Sequence, residues 1–497
     1  MRRVALLAVD VGTGSVRAAL VDTAGAILAF AQREHEQHTP RPDWSEQSPA
    51  TWWAGAIACI RQVREAVPDA DVAAVAVCGQ MHGTVPLDAE GEVLLDRVQL
   101  WNDKRAAGLC RSFAERADAA SLAERAANPP APAWIGFKLA WIKANQPDVY
   151  ARTAVVLTPK DFIVQRLTGV AATDPSEASG SFLVDASTGF YDEELAASLN
   201  VDLDKMPRIL ASEAVVGAVT PEAAGLTGLT VDTPVVAGGG DFIVALLGSG
   251  VDRPGTGSDI TGTSTLISGI AERPVHAAGV MNLCAATGGW VPFAILDAGG
   301  DAVRWARRAI AQPDATFETI EAEAAAVPPG CEGLLFLPYL NGERLGAHGN
   351  ARAQFFGITA RHGRGHFLRA VLEGVAFASA RNLGTMAAAG ASFERLVAAG
   401  GGAKSRLWLE IKASIYGVPL TVPEETESGI LGCAALAGIG CGLWPDAVTA
   451  TSALVRHGDP VSPQADLVDR YRRLGTVFDD LYASVGPLYD RLDAALA

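Results

Sequence analysis

Three short segments carry residue types that could bind phosphate or move protons. The first is Asp10-Val11-Gly12-Thr13-Gly14-Ser15-Val16-Arg17. A turn of small residues between two strands exposes backbone N–H groups, and a concave set of such groups binds anions. Thr13 and Ser15 add hydroxyl donors, and Arg17 adds a fixed charge able to grip phosphate oxygens. Asp10 closes an apolar strand and could hold Mg²⁺ directly or through water. The plainer reading is a hairpin with a surface Asp and Arg; the buried strand together with Arg17 favours phosphate.

The second segment is Gly238-Gly239-Gly240-Asp241. Three glycines after a strand let another molecule approach the backbone, and an Asp placed there can act as a general base towards a hydroxyl. The same Asp could instead cap a helix starting at Phe242. On these residues alone both readings stand. The third segment, Gly400-Gly401-Gly402-Ala403-Lys404-Ser405, is not a P-loop, because Ala403 precedes the lysine and Val397 stands where that motif needs its first glycine. Its glycines suit close packing against a flat ligand such as a purine, or an ordinary strand-to-helix turn. His362 and His366 have helical metal-ligand spacing, but Gly363 and Gly365 are expected to break a helix there, and zinc is not supported. No G-x-S-x-G elbow is present.

The elements that must position these residues alternate between strand and helix, which makes the class α/β. Val4–Val9 is a continuous apolar run, as expected of a strand buried on both faces. Val16–Val21 and Ile27–Gln32 follow across short turns and complete an antiparallel meander. Ser48-Pro49 opens a helix towards Ala66, with Ser48 as its N-cap. Val72–Val77 and Val235–Ala237 are further buried strands, and Ser258–Ile270 reads as strand, turn, strand about Gly262-Thr263-Ser264. Helices are expected over 366–387 and from Ser405 to a stop at Gly417. Gly-Thr turns between apolar strands, at Gly12-Thr13 and again at Gly262-Thr263, hint at two similar halves.

The 497 residues allow two to four domains at ~100–200 residues each. A hydrophobic share of 49% excludes a disordered or disulfide-stapled chain. A formal net charge of −16 opposes a nucleic acid or an anionic membrane held by bulk electrostatics, though not a small anion bound locally. The seven cysteines are widely spaced with no C-x-x-C, which points to reduced thiols and a cytoplasmic protein. The run Val4–Val9 meets Asp10 too early for a signal peptide, and the uncharged stretch Ser428–Pro445 holds too much glycine for a membrane span; it reads as a buried turn and helix.

Taken in order along the chain, further segments join these. Asp10–Arg17 resembles the first phosphate hairpin of the FGGY family of carbohydrate kinases, members of the actin-like ATPase superfold. Trp44-Ser45-Glu46-Gln47-Ser48-Pro49-Ala50-Thr51-Trp52-Trp53 and Pro159-Lys160-Asp161 are similar to shared family segments. Gly79-Gln80-Met81-His82-Gly83 and Trp101-Asn102-Asp103-Lys104-Arg105 resemble the sugar-side motifs of its xylulose kinases. Gly238–Asp241 matches the strand of the catalytic base, and Gly262-Thr263-Ser264 the second phosphate hairpin. Gly342-Glu343-Arg344 through His366–Glu373 fits the C-terminal signature, and Gly400–Ser405 the adenosine site.

The resemblance implies two actin-like (ribonuclease H-like) domains with a cleft between them: 1–248, with the sugar site and first phosphate hairpin, and 249–497, with the nucleotide site. It implies ATP and Mg²⁺, with Asp10 and Asp241 near the metal and Asp241 as base. Gly12, Thr13, Gly14, Ser15, Arg17, Gly262, Thr263, Gly300, Arg304, Gly402 and Arg406 would meet ATP. Met81, His82, Trp101, Asn102, Asp103 and Asp241 would meet the sugar. The chain lacks the Arg-Glu pair that glycerol kinases carry at Gln80-Met81-His82, so D-xylulose is the expected substrate; ribulose, erythrulose or erythritol are alternatives, as is a non-catalytic nucleotide switch. The expected partners are sugar and ATP, with no nucleic acid or membrane; the family also raises a homodimer. Phe242, Ile135 and Leu345-Gly346-Ala347 depart from the usual pattern around the sugar and phosphates.

Overall fold

A computed structural model describes residues 3–496. From the N-terminus, β1 (Arg3–Val11), β2 (Ser15–Asp22) and β3 (Ile27–Glu34) form the expected meander, followed by α1 (Pro49–Ala66) and β4 (Ala70–Gly79). The chain continues through α2 (Ile135–Asn145), α3 (Pro159–Thr168) and α4 (Pro175–Ser179) to β5 (Val215–Ala218), β6 (Pro234–Val236), β7 (Gly239–Gly240) and α5 (Asp241–Gly248). Then come β8 (Thr256–Thr261), β9 (Thr265–Gly269), β10 (Trp290–Leu296), α6 (Gly299–Ala309), α7 (Arg364–Ala388) and β11 (Arg395–Ala399). The last are α8 (Arg406–Tyr416), β12 (Leu420–Thr421), α9 (Ser428–Gly440) and α10 (Ala465–Leu496).

Two compact units result. One gathers 1–252, 282–291 and 427–456; the other gathers 253–281, 292–426 and 457–497. In the first, the sheet order is β5-β6-β4-β1-β2-β3, with β7 also on β4. β1 and β4 are parallel, and β1 is buried from Ala5 to Val11, as its unbroken apolar run requires. Its core packs α1 residues Trp52, Ala56, Ile60 and Val63 on the strands. In the second unit, five strands of a six-stranded sheet run β10-β9-β8-β11-β12. Here too an antiparallel meander (β10, β9, β8) is followed by strands parallel to its first member, β8. The two halves hinted at by the Gly-Thr turns therefore share strand order and direction.

Several local expectations are refined. α1 begins at Pro49, but Ser48 makes no side-chain cap bond; its carbonyl accepts from Thr51 and Trp52 instead. Gly363 and Gly365 do not break the helix: Gly363 is the N-cap of α7, and Gly365 and His366 lie in its first turn. A glycine near a helix start loses little, because the first four N–H groups lack intrahelical partners anyway. Ser405 caps α8 through the Trp408 amide, and Gly417 ends it at φ 73°. Ser428–Gly440 is the buried helix expected there. No described helix is long and apolar enough to cross a membrane.

Candidate active site

Asp10 ends β1, opposite Arg17 on β2 and beside Cys78 on β4. The turn between is closed by Gly12 N–H donating to Ser15 O at 2.9 Å, and a side chain at Gly14 would meet nothing within 4 Å, so the hairpin tip is open. Arg17 reaches Asp10 at 3.6 Å and Glu427, just before α9, at 3.3 Å. Asp10 is 8% exposed, and its Oδ1 has no hydrogen-bond partner. Burial pushes the Asp10 carboxyl up to about 6, against the pull of Arg17.

Asp241 is the first residue of α5, half-buried, with Gly240 rather than Asp241 at the N-cap. Its Oδ1 accepts the Phe242 N–H at 2.7 Å, a terminal amide with no helical partner. Burial, then the charge of Asp10, pushes Asp241 up to about 7. The side chain thus serves the helix terminus with one oxygen, from the first helical position rather than the N-cap. Two neighbouring carboxylates with raised pKa values, one holding an unpartnered buried oxygen, are the donor set a divalent cation would relieve. The residues fit Mg²⁺ on that ground.

The first sugar-side motif lies beside Asp241. A side-chain carbon at Gly240 would lie 2.6 Å from Met81 Cγ, so the Met81 thioether lies against the backbone just before Asp241. His82 sits at φ 62° with its ring edge-on to Trp134 at 5.0 Å. Burial, then Lys138, holds the His82 imidazole down to about 3, so it is neutral. Trp101 donates its indole N–H to Thr13 Oγ1 at 3.1 Å, linking the sugar side to the phosphate hairpin. Asn102 Oδ1 is buried and without a partner. Asp103 differs from expectation. It is 1% exposed, and it accepts from the Ser45 amide, the Arg105 amide, Arg105 Nε and Arg105 Nη2 at 2.6–3.0 Å. With those acceptor positions filled, the geometry makes it a brace for Arg105, which also lies 3.6 Å over Trp44.

Residues not singled out in the sequence complete the site's support. Gln47 donates to Thr13 O at 2.6 Å and accepts from Trp52 and Gln80. Lys138 Nζ donates to His82 O at 2.7 Å and Leu100 O at 2.6 Å, tying the two sugar-side motifs together. Glu177 accepts from the His82 amide, and burial raises its carboxyl well above the usual range. Gln47 lies inside the Trp44-Ser45-Glu46-Gln47 segment that resembles a shared family one. The signal for Glu177 was Asp174-Pro175, a helix-start pair.

In the second unit, Gly300 N–H donates to Gly262 O and Asp301 N–H to Thr263 O, both at 3.0 Å. A side chain at Gly300 would meet Gly262 O at 2.1 Å, and one at Gly402 would meet Thr261 Cβ at 2.7 Å. Gly262, Thr263, Gly300 and Gly402 are therefore brought together, with the tip at Gly262 open. Beneath the turn, Lys412 donates to Asp259 at 2.8 Å and Thr261 Oγ1 at 2.6 Å. Arg304 pairs with Asp301 at 3.3 Å near this cluster. Arg406 is outward on α8, paired with Glu410, and no contact joins it to the cluster.

Residues 5–248 match the N-terminal domain, and 258–441 the C-terminal domain, of the FGGY family of carbohydrate kinases. A xylulose kinase of Bacillus subtilis is 29% identical over 483 residues, covering 96% of each chain. A glycerol kinase of Gloeobacter violaceus is 32% identical over 454 residues, covering 89% of each. The crystal structure of a xylulose kinase from Rhodospirillum rubrum superposes with a TM-score of 0.92 at 30% identity, over 98% of this chain and 100% of that one.

Proposed function

The chain belongs to the FGGY family of carbohydrate kinases, and from that premise we propose that it transfers the γ-phosphate of ATP to a hydroxyl of D-xylulose, giving D-xylulose 5-phosphate. That it is an ATP-dependent sugar kinase with the two-domain actin-like fold follows from the family. The single observation carrying the proposed chemistry is Asp241, a carboxylate with one oxygen engaged and one left, raised to about 7 beside Met81. The free oxygen of Asp241 accepts the proton of a sugar hydroxyl as the hydroxyl oxygen attacks the γ-phosphorus in line. ADP leaves as the P–O bond to its β-phosphate breaks, and the proton stays on Asp241 until it passes to solvent.

Catalysis of this kind is mostly positioning and charge stabilisation. Thr13, Ser15 and Arg17, with the Gly14 amide, take the transferring phosphate, and Gly12 closes the turn behind them. Gly262 and Thr263 take the phosphates from the nucleotide side, with Gly300 and Gly402 lining the nucleotide. Arg304 lies at the edge of this set, and Arg406 we assign to the adenosine end only. Asp10 and Asp241 would hold Mg²⁺, which supplies charge neutralisation at the phosphates when bound. Met81, His82, Trp101 and Asn102 line the sugar pocket, Asp103 holding Arg105 behind them. The seven cysteines are all free, which supports a cytoplasmic setting.

The substrate rests on Gln80-Met81-His82, where the Arg-Glu pair of glycerol kinases is absent. A panel of D-xylulose, D-ribulose, erythrulose, erythritol and glycerol in an ADP-release assay tests it. D-Xylulose should give the highest kcat/KM. A higher value with any other member overturns the substrate, and ADP release indifferent to sugar favours a nucleotide switch.

A further inference from the structure

Asp241 follows a strand made only of glycine, so no side chain of its own anchors β7. On one edge β4 holds it, Gly239 opposite Cys78 and Gly240 opposite Gly79. The other edge faces a buried polar cluster. Gly240 N–H donates to Ser176 Oγ at 2.9 Å, Gly238 N–H to Ser212 O at 2.8 Å, and Lys160 Nζ to Ala237 O at 2.9 Å. These three anchors converge on Asp174. Its Oδ2 accepts from Ser176 Oγ at 2.6 Å, the Ser176 amide at 2.8 Å and Ser212 Oγ at 3.2 Å. Its Oδ1 lies 2.9 Å from Lys160 Nζ, which also pairs with Asp161 at 2.5 Å. Lys160, Asp174, Ser176 and Ser212 are all 0% exposed. A side chain at Gly239 would stand 3.3 Å from Ser176 Oγ and 3.4 Å from Asp174 Oδ2, so cluster and strand are in direct contact.

We propose that Ser176, aimed by Asp174, is a positioning residue that sets the place of Asp241 through the Gly240 amide. The Ser176 hydroxyl has one proton, which it gives to Asp174; its lone pair is thereby turned to Gly240, one residue before the base. The cluster does not touch the substrate, because the β7 backbone stands between. The inference rests on Asp241 being the base.

The test compares Ser176→Ala with Ser212→Ala. Both remove a buried hydroxyl bonded to Asp174, but Ser212 holds Gly238 through its carbonyl, which the substitution leaves. kcat and both KM values are measured per folded, ATP-binding molecule, beside Asp241→Asn. Ser176→Ala should lose about tenfold to a hundredfold in kcat, the scale of a small misplacement, with the KM for ATP within about twofold. Ser212→Ala should stay within about threefold of wild type in kcat, and Ser176→Thr, which keeps the hydroxyl, should recover most of the loss. If Ser176→Ala gives no folded protein, Ser176→Cys carries the same expectation, since sulfur is a poor acceptor. Equal kcat losses in the two alanine variants, or no loss in Ser176→Ala, overturn the proposal. An active Asp241→Asn overturns the base itself; an inactive one beside a wild-type Ser176→Ala overturns only the positioning.

Discussion

Asp241 owes its character to two causes with the same sign. Burial disfavours its charge, and Asp10 repels it, so the carboxyl is held near 7. A base works only when deprotonated. Activity should therefore rise as pH climbs through about 7 and fall below it, where Asp241 carries its proton. The profile of kcat/KM between pH 5.5 and 9 checks this; a profile already flat above pH 5 would place the base elsewhere. At this scale the sequence supplied candidates without deciding between them. Base and cap both fit an Asp after three glycines, and the bond from the Phe242 amide to one oxygen is compatible with either. The bonds that Arg105, two residues on, makes to Asp103 could not be read from the sequence, since the pairing requires the turn to be seen.

Among the elements, strands were the most legible, since an apolar run such as Val4–Val9 has few other fates. Helix crossings were not. α5 and α9 pack so closely that a side chain at Gly248 would meet Ser428 O at 1.8 Å, and one at Gly432 would meet Val244 O at 2.0 Å. Backbone stands against backbone there, and neither helix can yield without moving Asp241 or the start of α9 beside Asp10. Gly432→Ala should cost about 3 kcal/mol, the upper range for overpacking. Gly225→Ala, in the helix Pro221–Thr227 with nothing within 4 Å, should be neutral or stabilising by up to about 1 kcal/mol. Urea unfolding of both variants measures the contrast; equal effects would mean the crossing is looser than drawn. Nothing in the glycine-rich run Ser428–Pro445 told which glycine met which helix, because the partner lies far away in sequence.

Across the whole molecule, the repeated Gly-Thr turn was the visible trace of a repeated sheet. Both units carry a three-stranded antiparallel meander joined to parallel strands, and each meander's turn is closed by its glycine N–H, Gly12 to Ser15 O and, in a turn one residue shorter, Gly262 to Ser264 O, at 2.9 Å each. The family's N- and C-terminal domain models match residues 5–248 and 258–441. The compact units are interleaved instead: 282–291 and 427–456 cluster with the first. That return of the chain brings Glu427 to Arg17, a contact no reading of contiguous segments could supply. We propose that this molecule couples ATP to a sugar through one carboxylate. Steady-state, D-xylulose-dependent ADP release by Asp241→Asn, with thermal unfolding as the check on folding, tests it most directly. The expected result is a loss of about two to four decades in kcat at unchanged melting temperature; turnover within a factor of about three of wild type would contradict it.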